Sequence, residues 1–168
     1  MHKVEEIVIN TGPIIAIVAA LGSLDVLQIY CRVWVPGSVC QEILAGGPLG
    51  FAVAEFEAAH WLQRGSTPLE IAPILVNSLD QGEAAVIQLA LDKNIQTVCI
   101  DESAGRRVAR LSGLAVTGSV GVLLRARREG HPFSMRDAIQ RMRQRGVWLS
   151  ERVVDFALAQ TDNESGPG

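Results

Sequence analysis

The sequence predicts an α/β fold in which a mostly parallel sheet of four to five strands is covered by helices, with extra helices at the carboxyl end. Two observations carry this. Short apolar runs rich in β-branched residues alternate with longer stretches of helical period, and everything beyond Ser119 reads as helix. A third bounds the size: at 168 residues one domain with a single core is expected, over 1–160, followed by a disordered tail over 161–168.

Ile7-Val8-Ile9 is the first buried strand. Thr11-Gly12-Pro13 then caps and opens a helix through about Leu21, because Thr suits the N-cap and Pro tolerates the first turn. Ser23 to Ile29 reads as a short helix and Val33-Trp34-Val35 as the second strand. Pro36-Gly37-Ser38 opens a helix through Leu44 that Gly46 and Gly47 end. Leu49 to His60 looks helical, and an edge strand is expected around Leu69 to Ala72, in a stretch broken by Gly65, Pro68 and Pro73. Asp80 to Lys93 is an amphipathic helix, Thr97 to Ile100 a strand, Ser103 to Leu111 a helix and Leu114 to Val116 the last strand. Val120 to Arg128, Ser134 to Arg145 and Ser150 to Gln160 are the closing helices.

Composition excludes several classes. The chain is 48% hydrophobic and 20% charged, with 15 Lys+Arg against 18 Asp+Glu and a formal charge of −3, so it is not a generally basic nucleic-acid binder. The halves differ in sign: four bases face ten acids over residues 1–100, whereas eleven arginines face eight acids over 101–168. Cys31, Cys40 and Cys99 are odd in number, lack CxxC spacing and sit among apolar neighbours, as buried thiols do in a reducing cytosol. The longest apolar run, Ile14 to Leu21, falls short of the roughly 20 residues that span a bilayer. Glu5, Glu6, Asn10 and Pro13 interrupt any signal-peptide core, so a cytoplasmic protein is expected.

Open parallel sheets bind ligands at the carboxyl ends of their strands, which makes polar residues ending an apolar strand the first candidates. Asn10 ends the first strand and Asp101 follows the fourth, while Glu42 and Glu83 lie in the opening turns of helices that begin at the same edge. Asp80-Gln81-Gly82-Glu83 matches a capping box, in which Glu83 folds back onto the Asp80 amide. Glu83 also shares a face with Ile87 and Ala90, which points it to the buried side, where an idle carboxylate is costly. Glu42 reads equally as part of a solvated helix face, with Ser38-x-x-Gln41 offering a cap that does not use it, and Asp101 as a simple helix cap. Joint placement favours a cation, because two carboxylates about 4 Å apart repel by about 4 kcal/mol at an effective dielectric near 20. With no His/Cys cluster among His2, His60 and His131, the donors suit Mg2+ or Mn2+. Arg106 and Arg107 follow Asp101 closely enough to hold a backbone phosphate, although a solvated helix face is the plainer reading of the Arg-rich segment.

The run Ile9-Asn10-Thr11-Gly12-Pro13-Ile14-Ile15 and the Pro36 to Leu44 helix with Glu42 resemble the PIN-domain nucleases. Asp80-Gln81-Gly82-Glu83-Ala84-Ala85, Ile100-Asp101-Glu102 with Gly105-Arg106-Arg107, and Thr117-Gly118-Ser119-Val120-Gly121 resemble a prokaryotic PIN-like subgroup of unassigned function. The resemblance implies a three-layer α/β/α fold and Mg2+- or Mn2+-dependent cleavage of single-stranded RNA, often by the toxin of a toxin–antitoxin pair. It also implies that one or two ions are held by Asn10, Glu42, Glu83 and Asp101, with Thr11 and Asp80 supporting them and Arg106 or Arg107 on phosphate. An antitoxin-like protein and a second copy of the chain are the implied partners. The family position at Asn10 is usually Asp; Asn keeps one carbonyl oxygen but no charge, which leaves a silent interaction module as the alternative.

Overall fold

The structure is a computed structural model that describes residues 5–66 and 68–164. Its sheet grows from a strand that is apolar on both faces: Ile7, Val8 and Ile9 of β1 (Glu6–Ile9) have no solvent exposure, as expected of a central parallel strand. β2 (Arg32–Val35) pairs with one side of β1 through Ile7↔Val33 and Val8↔Trp34. The other side pairs with β4 (Thr97–Cys99) through Val8↔Val98 and Ile9↔Cys99. β3 (Gln63–Arg64) and β5 (Ala115–Thr117) complete a parallel sheet of order β3-β2-β1-β4-β5. This order reverses direction between β1 and β4, and there a crevice opens outside the strands' carboxyl ends.

Nine α-helices are present among the described residues: α1 (Thr11–Leu21), α2 (Gly37–Leu44), α3 (Val53–Ala58), α4 (Pro73–Ser78), α5 (Gln81–Lys93), α6 (Ser103–Leu111), α7 (Ser119–Arg128), α8 (Met135–Gln144) and α9 (Glu151–Glu164). With the sheet they make the expected three-layer architecture. α5 packs on β1 and β4 and contacts α2, α4 and α6, whereas α1 contacts α7 and α8, and α9 closes over both. α1 is buried almost all round because it serves two cores. Ile14, Ile15, Ile17 and Val18 face the sheet core, while Ala16, Ala19 and Ala20 meet Leu123, Met135, Ile139 and Met142 of the closing helices. Each fully buried large side chain contributes about 1.5–3 kcal/mol, so the carboxyl-terminal helices are held by a genuine second cluster.

Several local expectations change. The edge strand is Gln63–Arg64 rather than Leu69–Ala72; both its residues are exposed, and Ala72 instead precedes α4 with its N–H donated to Gln88 Oε1 at 2.9 Å. The helix expected from Leu49 starts only at Val53, after left-handed backbone at Gly50 and Ala52. The segment after Ser23 is a 3-10 turn (Asp25–Ile29). Asn10, not Thr11, is the N-cap of α1, and Pro36 precedes α2, leaving Ser38 Oγ buried without a partner. Cys31 is exposed, unlike the buried Cys40 and Cys99, and all three thiols are free. The last helix continues to Glu164, past the start expected for a disordered tail; the rest of that tail, 165–168, lies outside the described residues, as do residues 1–4. No described helix is long and apolar enough to cross a membrane.

Candidate metal centre

The crevice between β1 and β4 gathers polar side chains because each surrounding element starts or ends there. The end of β1 supplies Asn10 and Thr11, and both are buried. Thr11 Oγ1 donates to Glu42 Oε2 at 2.8 Å, so the second turn of α2 is tied to the start of α1. Glu42 is otherwise exposed, which leaves its carboxylate open to solvent on the crevice side.

α5 enters closely because Gly82 has no side chain. A Cβ there would lie 3.0 Å from Asn10 Oδ1 and 3.6 Å from both Asp80 Oδ1 and Glu42 Oε2. Three oxygens from three elements therefore converge over one bare α-carbon. Asp80 is the N-cap of α5, its Oδ1 accepting the Glu83 N–H at 2.8 Å, which is half of the expected capping box. The other half does not satisfy Glu83. That residue is 3% exposed, and its Oε1 is buried with no hydrogen-bond partner.

Glu83 has acidic company instead. Ligand oxygens of Asp80, Glu83 and Glu102 all lie within 4.8 Å of one another. Burial, then the charge of Asp80, then the hydrogen bond and charge of Glu102, push the Glu83 carboxyl up to about 7, with the Asp80 backbone pulling the other way. Gly105 of α6 closes this side: a Cβ on it would come 2.9 Å from Ile100 Cγ2 and 3.2 Å from Glu83 Cδ. The small residue lets α6 pack directly against the buried acid.

Asp101 is engaged elsewhere. Its Oδ1 accepts the Ser119 N–H at 2.7 Å, capping α7, whose N-cap is Gly118. A Cβ at Gly118 would lie 2.6 Å from that oxygen and 2.9 Å from Arg106 Nη1, which in turn donates to Ile100 O at 2.9 Å. Burial raises the Asp101 carboxyl above its ordinary value, while the Ser119 bonds and the Arg106 charge oppose it. Arg106 is thus folded onto the sheet end, and Arg107, one residue on, is exposed.

The structure therefore brings together Asn10, Thr11, Glu42, Asp80 and Glu83 of the residues expected from sequence, and adds Glu102. Sequence reasoning passed over Glu102 as a neighbour of Asp101. The signal was available: in extended backbone, successive side chains point to opposite sides, and Glu102 retains extended backbone at φ −76°, ψ 137°. Asp101 consequently reaches α7 while Glu102 reaches α5. The oxygen-only donor set, with one buried carboxylate oxygen lacking any partner, fits a hard divalent cation. A family model described as a PIN domain matches residues 6–163, and no curated protein matches the chain.

Proposed function

The chain belongs to the PIN-domain family, and on that premise we propose that it is a divalent-metal-dependent nuclease that hydrolyses phosphodiester bonds in single-stranded RNA. The observation that carries this reading is Glu83, a buried carboxylate with an unpartnered oxygen beside two further acids. An uncompensated group of this kind is costly unless something positive meets it. Mg2+ or Mn2+ bound among these acids would supply activated water and offset charge developing on the phosphate.

The chain's own residues divide the remaining work. Asp80, Glu83 and Glu102 present negative oxygens in the crevice, and Glu42 is held toward it by Thr11. Asn10 contributes a neutral oxygen at the same place, suited to orienting water. The exposed Arg107, on the first turns of α6, is the side chain available to a backbone phosphate, with Arg106 already engaged at the sheet end. An antitoxin-like protein and a second copy of the chain belong to the same proposal as partners.

The test is cleavage of a fluorescent single-stranded RNA, with single-stranded DNA in parallel, in Mn2+ and in EDTA. Metal-dependent cutting of RNA, lost in Glu83→Gln, is the expected result. Two observations favour a second reading. Asn10 removes a charge from the site, and the carboxyl-terminal helical region exposes Trp148 and Phe156, surface that a noncatalytic interaction module would use. An intact RNA panel in excess Mn2+, with no metal binding, would select that module.

A further inference from the structure

We infer that a cleft at the far end of α7, bordered by the start of α8 and the last turns of α9, binds the phosphate group of a small phosphorylated ligand on Arg127 and Arg136. This site lies outside the metal-dependent reading above and does not depend on it. Ser119 opens α7 beside Asp101, and Arg127 lies eight residues further along that helix, a rise of about 12 Å.

The local sequence builds the cleft. Gly130 adopts φ +97° after α7, and the His131 N–H returns to Ala126 O at 3.0 Å, a reversal that glycine permits past a helix end. The chain turns back far enough for Phe133 O to accept from Arg127 Nη1. Ser134 then caps α8, its Oγ accepting the Asp137 N–H at 3.2 Å. α9 adds Leu158 and Thr161 around a cavity of about 270 Å3.

Three observations give this cavity its chemistry. First, the described residues that line it include two arginines and no carboxylate, and neither arginine pairs with an acid among the described residues. Asp137 follows Arg136 in sequence but is exposed and does not line the cleft. Second, the Arg127 Nε–H is buried with no partner among the described residues. A buried donor of that kind is costly until an acceptor meets it. With Nη1 fixed on Phe133 O, the guanidinium keeps its Nε–Nη2 edge, which suits two oxygens of one anion. Third, Ser134 Oγ accepts a backbone N–H, so its own hydrogen remains to donate. A phosphate group, with three acceptor oxygens and up to two charges, matches these donors better than a single carboxylate does. The volume is close to the roughly 300 Å3 at which small-molecule sites begin, and Phe133 and Leu158 offer apolar surface to whatever carries the phosphate.

Calorimetric titration of the full chain in EDTA tests the site, since the acidic crevice repels phosphate when no metal is supplied. The ligands are adenosine 5′-monophosphate, inorganic phosphate and adenosine, and the variants are Arg136→Gln and Arg127→Lys. Adenosine 5′-monophosphate should bind the unaltered chain and adenosine should not. Arg136 is exposed, so Arg136→Gln spares the fold and should weaken that binding about tenfold through loss of one charged donor. Arg127→Lys keeps the charge, loses the planar edge and should weaken it by about as much. Tighter binding of adenosine 5′-monophosphate than of inorganic phosphate marks a nucleotide as the source of the group, and equal binding marks free phosphate; either supports the site. No binding of either phosphate, adenosine bound as tightly as its monophosphate, or unchanged affinity in both arginine variants would overturn it and leave the metal-dependent reading standing.

Discussion

Two clusters of charge in this molecule differ in whether their members are satisfied. On the face shared by β1, β4 and α7, Arg125 bonds Glu5, lies 3.4 Å from Glu129 and sits 4.7 Å over the Tyr30 ring. Thr97 Oγ1 adds a contact to Glu5 at 3.4 Å. Burial pulls the Arg125 guanidinium down, yet Glu5, Tyr30 and Glu129 outweigh it and raise it overall. Tyr30 is pushed up to about 12, first by burial, so it stays a neutral phenol. At the carboxyl ends of the same strands, Asp80, Glu83 and Glu102 bring carboxylate oxygens within 4.8 Å of one another. The first cluster is closed by its own arginine, whereas the second is made of carboxylates. Asp101 belongs to the closed kind, since Ser119 and Arg106 answer its charge.

The comparison breaks most visibly at Glu83. Glu83→Gln should reduce metal-dependent RNA cleavage by about 100-fold or more, because the central acid of the open cluster is gone. It should also raise Tm in EDTA at pH 8, because an uncompensated charge goes with it. Loss of stability in the metal-free variant would instead make Glu83 a structural residue. Gly118→Ala probes the closed side. A methyl 2.6 Å from Asp101 Oδ1 forces that carboxylate off Ser119, at a cost of about 1–3 kcal/mol read by denaturant melts.

Titration sharpens the contrast. The folded protein holds the Glu83 proton up to about pH 7, whereas the unfolded chain releases it near the ordinary value of 4.5. The folded state therefore binds more protons between those values, and this contribution is fully present below about 4.5 and lost as pH rises through about 7. Thermal melts in EDTA should show Tm falling across that window, and Glu83→Gln should flatten the fall. Smallest is Arg125→Met. Its side chain is 27% exposed and that of Glu5 37%, so screening limits the loss to about 1 kcal/mol, measured as a shift in the urea midpoint.

The sequence conveyed burial better than it conveyed direction. β1, β2 and β4 were legible because Ile7-Val8-Ile9, Val33-Trp34-Val35 and Thr97 to Ile100 are apolar enough to be read without neighbours. β3 was not, because Gln63 and Arg64 are exposed and joined to the sheet only by backbone pairing with Trp34 and Val35. Glu83 was legible from its helix face, and Asp80 from its capping position. Glu102 was hidden by a one-residue step beyond β4, where a local pattern cannot say which of two adjacent acids turns to α5. The roles of Gly82, Gly105 and Gly118 are tertiary: Gly82 admits side-chain oxygens, Gly118 an oxygen and a guanidinium, and Gly105 the carbons of Ile100 and Glu83, and nothing local marks them.

The most direct measurement is Tm of the unaltered chain and of Glu83→Gln at pH 7.5, each in EDTA and in excess Mn2+. A ligand bound only by the folded state must stabilise it. Mn2+ should raise Tm of the unaltered chain and leave Glu83→Gln near its EDTA value. Equal shifts in the two proteins, or no shift in the unaltered one, would contradict a metal centre organised around Glu83.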